Sequence, residues 1–440
     1  MAAGRELNLP EGSLSEIIRY KGTDSIVAWT FIVYMFSDII RTTLNFLIPN
    51  FGGRAMLVSW TINGLILCFS IVAFMSVSFK DKTKVWPIYV FVFATILVTA
   101  LSHPEYAGWF RHKEYGLNLK IFPFSSGIWM LFFVGLFTDK RKLLNSIMFC
   151  AKPLFLYYLL LFYRFLKRGY WITIDYLGNE IQNTYNLDWG YNVAFCCIVF
   201  LYIYWNSKKL LYLAASLFGM FVIIVGGSRG AFIEIAVAIA LIFVQDWRKT
   251  KDITKRIGVL FVIFVASLVL ICIGFEKIQT IIIRLVENVN ISGRIIEMLL
   301  SGKLVSNSGR NRIWKMAIDI IEDNKIFGAG FYGDRYVIGP SFYWGYCHNI
   351  FLEIWIDYGI FLGSVFILIL VKSILRMYLK NKDEEWAMLL IILFSTSVKL
   401  YLSDSFWYYK YFWGLLGCIM LWSKQNPGKV RLKFGIRRRN

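Results

Sequence analysis

Apolar residues gather along this chain in runs long enough to cross a lipid bilayer, which takes about 20 mainly apolar residues per helix. Residues 55–79, 210–228 and 257–275 carry no charged side chain at all. Further runs lie at 25–49, 85–102, 124–138, 146–166, 188–205, 230–245, 347–371, 386–402 and 405–422. Together they predict about 12 membrane spans, of which 124–138 and 386–402 are short for the task. The first run begins near Ile26 and is far longer than the apolar stretch of a signal peptide. No small-residue cleavage site follows it, so it reads as a retained span.

One connection is out of proportion to the rest: residues 276–346, predicted to lie outside the membrane. Within it, RNRIWKMAIDIIEDNK (310–325) carries Ile313, Trp314, Ala317, Ile318 and Ile321 at helical spacing. Ser308 is placed to cap that helix, and Gly328 follows its end. Ile278, Ile281, Ile282 and Leu285 make a second stripe. Such helices lie flat on the interface or cover the mouth of a bundle.

Composition agrees with a chain whose main solvent is lipid. It is 58% apolar and 17% charged, against about 45–50% and about 25% in soluble domains. With 18% aromatic residues this excludes disorder, a disulfide-rich secreted scaffold and an ordinary cytosolic enzyme. The net charge of +20 would suggest nucleic acid in a soluble protein. Placement decides otherwise. With the N-terminus set in the cytoplasm, 28 of the 48 Lys and Arg fall in inner connections and in the basic tail, 423–440. That is where an anionic leaflet attracts them. An even number of spans puts both termini inside. The tail reads as a membrane-surface anchor, with no nucleic-acid partner. The seven cysteines lie mostly in or beside apolar runs and form no CxxC pattern, so they predict neither a disulfide framework nor a metal site. No repeat, low-complexity segment or soluble domain interrupts 1–440, which reads as a single integral membrane domain.

A charge at mid-bilayer costs at least about 2.5–3.5 kcal/mol, so it marks a function or a partner. Asp38 and Arg41 stand three apart on the first span and are expected to pair; otherwise Arg41 is a phosphate ligand. Glu353 and Asp357 share a helix face and either line a polar cavity or meet basic residues of the long loop. Lys399 and Asp404, near a span end, are explained by snorkelling to the interface. GGSRGAF (226–232) joins two spans with a turn whose glycines allow tight backbone geometry. Arg229 is thereby held at the bundle edge, suited either to a bidentate grip on a diphosphate or to anchoring on lipid phosphate. Arg310 and Arg312 start the long-loop helix, where basic residues are mildly unfavourable unless an anion is held there. His348 opens the next span; it reads as a cap or, from its ordinary pKa of about 6.5, as a proton acceptor that Asn349 orients.

Three segments in order, GGSRGAF (226–232), GRNRIW (309–314) with NKIFGAGF (324–331), and HNIFLEIWIDYGIFLG (348–363), resemble the O-antigen ligase and polysaccharide polymerase superfamily. The resemblance covers roughly 220–370. It implies an all-α polytopic fold related to GT-C-like membrane glycosyltransferases, with an external active site. It also implies an undecaprenyl-diphosphate-linked oligosaccharide as donor, an acceptor glycan, and no cofactor or metal; the chain contains no Asp-x-Asp pair. The roles it implies fall on Arg229 and Arg310, or Arg312 in its place, for the diphosphate, and on His348 as the base. Glu353 is the reserve candidate for that base. The expected activity is an inverting, single-displacement polymerase of the bacterial inner membrane. A ligase acting on lipid A–core is the alternative within the same class, and a transporter or flippase the alternative outside it. Membrane lipids and a chain-length regulator are further candidate partners.

Overall fold

Helices occupy the apolar runs in the computed structural model, which describes residues 12–48, 51, 53–78, 86–174, 180–183, 186–226, 228–249, 310–342, 345–380 and 383–426. In chain order they are α1 (Thr23–Met35), α2 (Ser37–Leu47), α3 (Arg54–Ser76), α4 (Trp86–Ser102), α5 (Met130–Gly135), α6 (Lys140–Arg168), α7 (Leu187–Ser207), α8 (Leu210–Val225), α9 (Arg229–Lys249), α10 (Arg310–Asp323), α11 (Gly333–Ile338), α12 (Ile350–Lys380), α13 (Glu384–Ser397) and α14 (Lys410–Gln425). Among the described residues five helices are long and apolar enough to cross a membrane, or up to seven counting bent pairs. The chain is a multi-pass, almost wholly helical membrane protein. The span at 257–275 and the stripe at 278–285 lie outside the described residues, as does the tail beyond 426.

Two expectations need correction. The first run is broken, because α1 and α2 meet at 62°. Residues 124–138 hold only a 3-10 turn and the six-residue α5; Pro123, Ser125, Ser126 and Gly127 keep the first half of this stretch out of a regular helix. A small antiparallel hairpin, β1 (Trp171–Ile174) with β2 (Glu180–Asn183), joins α6 to α7, Trp171 facing Asn183.

The connections sort to two ends. At one end Lys140 pairs with Asp383, Lys142 with Asp24, and Gln425 donates to the Thr138 carbonyl at 2.8 Å. Arg248 closes the end of α12 by donating to the Tyr378 and Leu379 carbonyls at 3.0 and 2.6 Å. These segments are the ones assigned inside from their charge. The connections assigned outside meet at the other end, which carries the site described below.

The long loop docks into a break in a membrane helix. Gly359 interrupts α12 at φ +74°. Across the break, Ala329 N–H donates to the Ile356 carbonyl at 2.6 Å and Ile360 N–H to the Lys325 carbonyl at 2.8 Å. Backbone groups freed by the break thus find partners in the 325–329 turn. Ile360–Lys380 holds 21 residues, about 31 Å of helix, enough to cross the hydrocarbon layer alone. Ile350–Tyr358, with Glu353 and Asp357, is surplus to that length. It forms with α10 and α11 a second small core of Ile313, Ala317, Ile320, Ile321, Ala329, Ile338, Cys347 and Ile356. The buried stripe of α10 is therefore turned from the expected one, with Ile320 inside and Ile318 48% exposed. A Cβ at Gly359 would run into the Ile326 carbonyl, in a backbone region that L residues avoid. Gly359→Ala is expected to destabilise by about 1–3 kcal/mol or more, read as a lower thermal midpoint in detergent; an unchanged midpoint would refute the docking.

Candidate active site

The GGSRGAF turn lies directly on the first turn of α7. A Cβ at Gly226 would strike the Trp189 ring, one at Gly230 the Tyr191 hydroxyl, and one at Gly190 the Ser228 side chain. The glycines answer to this close approach. Trp189 is fixed by stacking on Phe162 at 5.4 Å and by donating Nε1 to the Tyr158 carbonyl at 2.9 Å. Arg229 opens α9 beside Tyr191; its backbone is described but its side chain is not.

His348 sits just before α12 with φ +55°, a left-handed conformation uncommon outside glycine. Asn349 caps α12, its Oδ1 accepting from Phe351 N–H at 2.9 Å and Leu352 N–H at 3.3 Å. Its side-chain oxygen is engaged by the helix end, so the expected orienting role passes to another group. The Ser403 carbonyl accepts from the His348 ring. The Tyr346 ring lies 4.5 Å from it. Burial, and then the charge of Arg310, push the imidazole down to about 4. Arg310 begins α10 and also acts on Tyr191. Arg312, two residues on, is exposed and stands over the Phe342 ring at 5.7 Å. The charge of Arg310 thus acts on His348, while Arg312 faces the Phe342 ring.

Two buried cations hold the floor. Lys399, 4% exposed, pairs with Asp188 and Asp404 at 2.6 Å each, over the Tyr191 and Tyr409 rings. It does not snorkel. Leu402 and Ser403 N–H groups donate to the Lys399 carbonyl, and this turn presents Ser403 to His348. Arg335, 0% exposed, pairs with Asp334 at 2.6 Å and Glu353 at 2.7 Å and donates to Ser405 Oγ at 2.6 Å. It stands over the rings of Tyr332, Tyr346 and Tyr408 at 4.8–5.7 Å. Glu353 also accepts from Ser405 Oγ and from Phe406 N–H at 3.1 Å. Its oxygens are committed, which removes it as the reserve base and makes it the partner of a long-loop cation. Asp357 accepts from Trp407 Nε1 at 2.7 Å.

Among the predicted residues, Arg310 acts electrostatically on His348, and the side chain of Arg229 lies outside the described residues. Asp38 and Arg41 form no ion pair; Asp38 lies in the first turn of α2, where the helix N-terminus favours it. Arg41 is exposed near Arg164 and Tyr157, and among the described residues no contact joins it to Arg310 or His348. Arg335 and Lys399 were not foreseen as a framework. The signal for Arg335 was the pair of carboxylates at 353 and 357, which required a cation.

Residues 213–367, from α8 past His348 and the break in α12, match the family described as O-antigen ligase. This segment is similar to that family. The matched segment contains all three motif regions read from the sequence, and the match supports a likeness to the wider ligase and polymerase superfamily. Members of the family are glycosyltransferase-like enzymes acting on a lipid-linked glycan and an acceptor. No curated protein sequence matches the chain.

Proposed function

We propose that the protein is a surface-polysaccharide polymerase of the bacterial inner membrane. It joins glycan carried on undecaprenyl diphosphate to an acceptor sugar hydroxyl at the outer face, with both termini in the cytoplasm. The observation that carries this reading is that the charge of Arg310, at the start of α10, acts on His348, at the head of α12, at the end built from connections whose charge assigns them outside.

The acceptor oxygen attacks the anomeric carbon as the bond to the diphosphate breaks, inverting that centre. The proton passes to His348, and the leaving diphosphate carries its charge to Arg229 and Arg310. Fixed cations in a water-poor site act where charge develops, and a roofed groove holds two large glycans in register. The reading needs no metal or nucleotide sugar, and the fold class suits a GT-C-like enzyme.

A second reading has its own support: the matched family is described as O-antigen ligase, so transfer to lipid A–core uses the same residues. Purified protein given lipid-linked repeat units alone separates the two. Chain growth is the expected result. Product that forms only after core is added would move the assignment to ligase, and no product with either would remove both. Turnover in detergent, with no second compartment, speaks against transport.

A further inference from the structure

The turn that closes the break in α12 carries two large apolar side chains that the fold leaves uncovered. Phe327 is 88% exposed, and Ile326 beside it is exposed too. Their depth is fixed from two directions. Ile360 N–H donates to the Lys325 carbonyl, so the turn stands level with the first residue of the membrane-spanning part of α12. On the α4 side, Thr99 Oγ1 accepts from Phe331 N–H at 3.0 Å, and a Cβ at Gly330 would strike the Thr99 side chain. Thr99 lies three residues before the outer end of α4, about 4.5 Å inside it along the helix axis. The Phe91 ring of α4 stacks on Tyr358 of α12 at 5.4 Å, so the two depth marks belong to spans that pack together. The turn is therefore wedged between two membrane spans at their outer ends.

The span surfaces at this level are uncovered in the same way. Val98 and Leu101 are exposed at the outer end of α4, and Phe361 is 72% exposed at the head of the spanning part of α12. Contiguous exposed apolar surface marks a membrane or protein contact. Lys325, exposed next to Ile326, suits the headgroup level: a lysine stem lies along apolar surface while its ammonium reaches anionic lipid. We propose that the 325–329 turn is a membrane-insertion element, with Ile326 and Phe327 seated among the acyl chains of the outer leaflet and Lys325 at its anionic headgroups. The turn joins α10, which begins at Arg310, to the break in α12, the helix headed by His348. Lipid contact thus fixes the height of the outer cap over the membrane. The protruding tip is two side chains wide, far less than the roughly 800 Å² per partner of a stable protein interface, which favours lipid over a second copy of the chain. The proposal stands apart from the glycosyl-transfer reading.

The test uses the full-length protein in nanodiscs of phosphatidylethanolamine and phosphatidylglycerol. The photoreactive residue p-benzoylphenylalanine replaces Phe327, Phe361 or Asp319 in turn, and adducts are read by mass spectrometry after irradiation. Phe361, on the span, calibrates the yield of lipid adduct, and Asp319, exposed on α10, is the control outside the membrane. Position 327 is expected to give phospholipid adducts in a yield close to that at 361, and position 319 almost none. A yield at 327 no higher than at 319 overturns the proposal, and so does a protein–protein adduct at 327 in place of lipid. Because the photoreactive group is large, a second measurement uses a small one. Phe327→Cys and Asp319→Cys are labelled with a membrane-impermeant maleimide, with wild type giving the background from the native cysteines. Labelling at 327 should be about tenfold slower than at 319, and equal rates would place the turn in water. Glycan transfer enters neither readout, so an inactive protein with a lipid-seated turn would sink only the enzymatic reading.

Discussion

His348→Ala is expected to lose glycan transfer by about 10²–10⁴-fold, the usual share of a general base, while the lipid-linked donor still binds. Arg229→Ala and Arg310→Ala should instead weaken donor binding, because they remove charge from the leaving-group side. Single-turnover rates beside donor titrations separate the outcomes, and an equal collapse of donor affinity in His348→Ala would make the imidazole a binding group. The pH profile adds a constraint. In the free protein the imidazole is held down to about 4 by burial and by Arg310. It is thus already in its proton-accepting form well below neutrality. The acid limb of kcat/KM, which reports the free enzyme, should therefore lie near about 4 rather than the ordinary 6.5. A bound diphosphate neutralises the field of Arg310, so the acid limb of kcat should lie at higher pH. An acid limb of kcat at or below that of kcat/KM would contradict the juxtaposition of Arg310 and His348.

Arg335→Met should cost about 3–5 kcal/mol, the loss typical when one partner of a buried ion pair is removed. The cause is the carboxylates left behind. Asp334 and Glu353 are both buried at the Arg335 guanidinium, and Glu353 ties α12 to the 405–406 segment. Arg335→Met with Glu353→Gln should recover part of the loss, because it removes the stranded charge. Thermal or chemical unfolding in detergent measures both. A single variant as stable as wild type would mean that the pair is not buried as described. A double variant no better than the single would place the cost in packing against the tyrosines instead.

Much of this was legible in the chain because lipid imposes a simple rule: a run of about 20 apolar residues must be a helix. Charge placement then sorted the connections by side. The broken first run and the short helix after Pro123 were not legible, since windowed hydropathy records length but not continuity. In the site, Arg310 and His348 could be named because their motifs are local. The choice between Arg310 and Arg312 depends on how α10 is turned about its axis, and the apolar stripe misjudged that by exchanging Ile318 for Ile320. Lys399 was misread because a lysine near a span end has two outcomes, reaching water or meeting carboxylates. Its partner Asp188 is 211 residues away in sequence, a separation that no local pattern spans. Glu353 shows the converse: its need for a cation was plain, but which of the loop's basic residues would meet it was not.

The join between the 325–329 turn and the gap at Gly359 bears on how this protein can be cut and recombined. The outward cap takes its shape from the upper piece of a transmembrane element, and that piece carries His348 at its head. A chimera cut where the chain enters the lipid would separate the cap from the template on which it sets. A cut placed a few residues further on, past Gly359, would keep residues from 310 to there together as one unit.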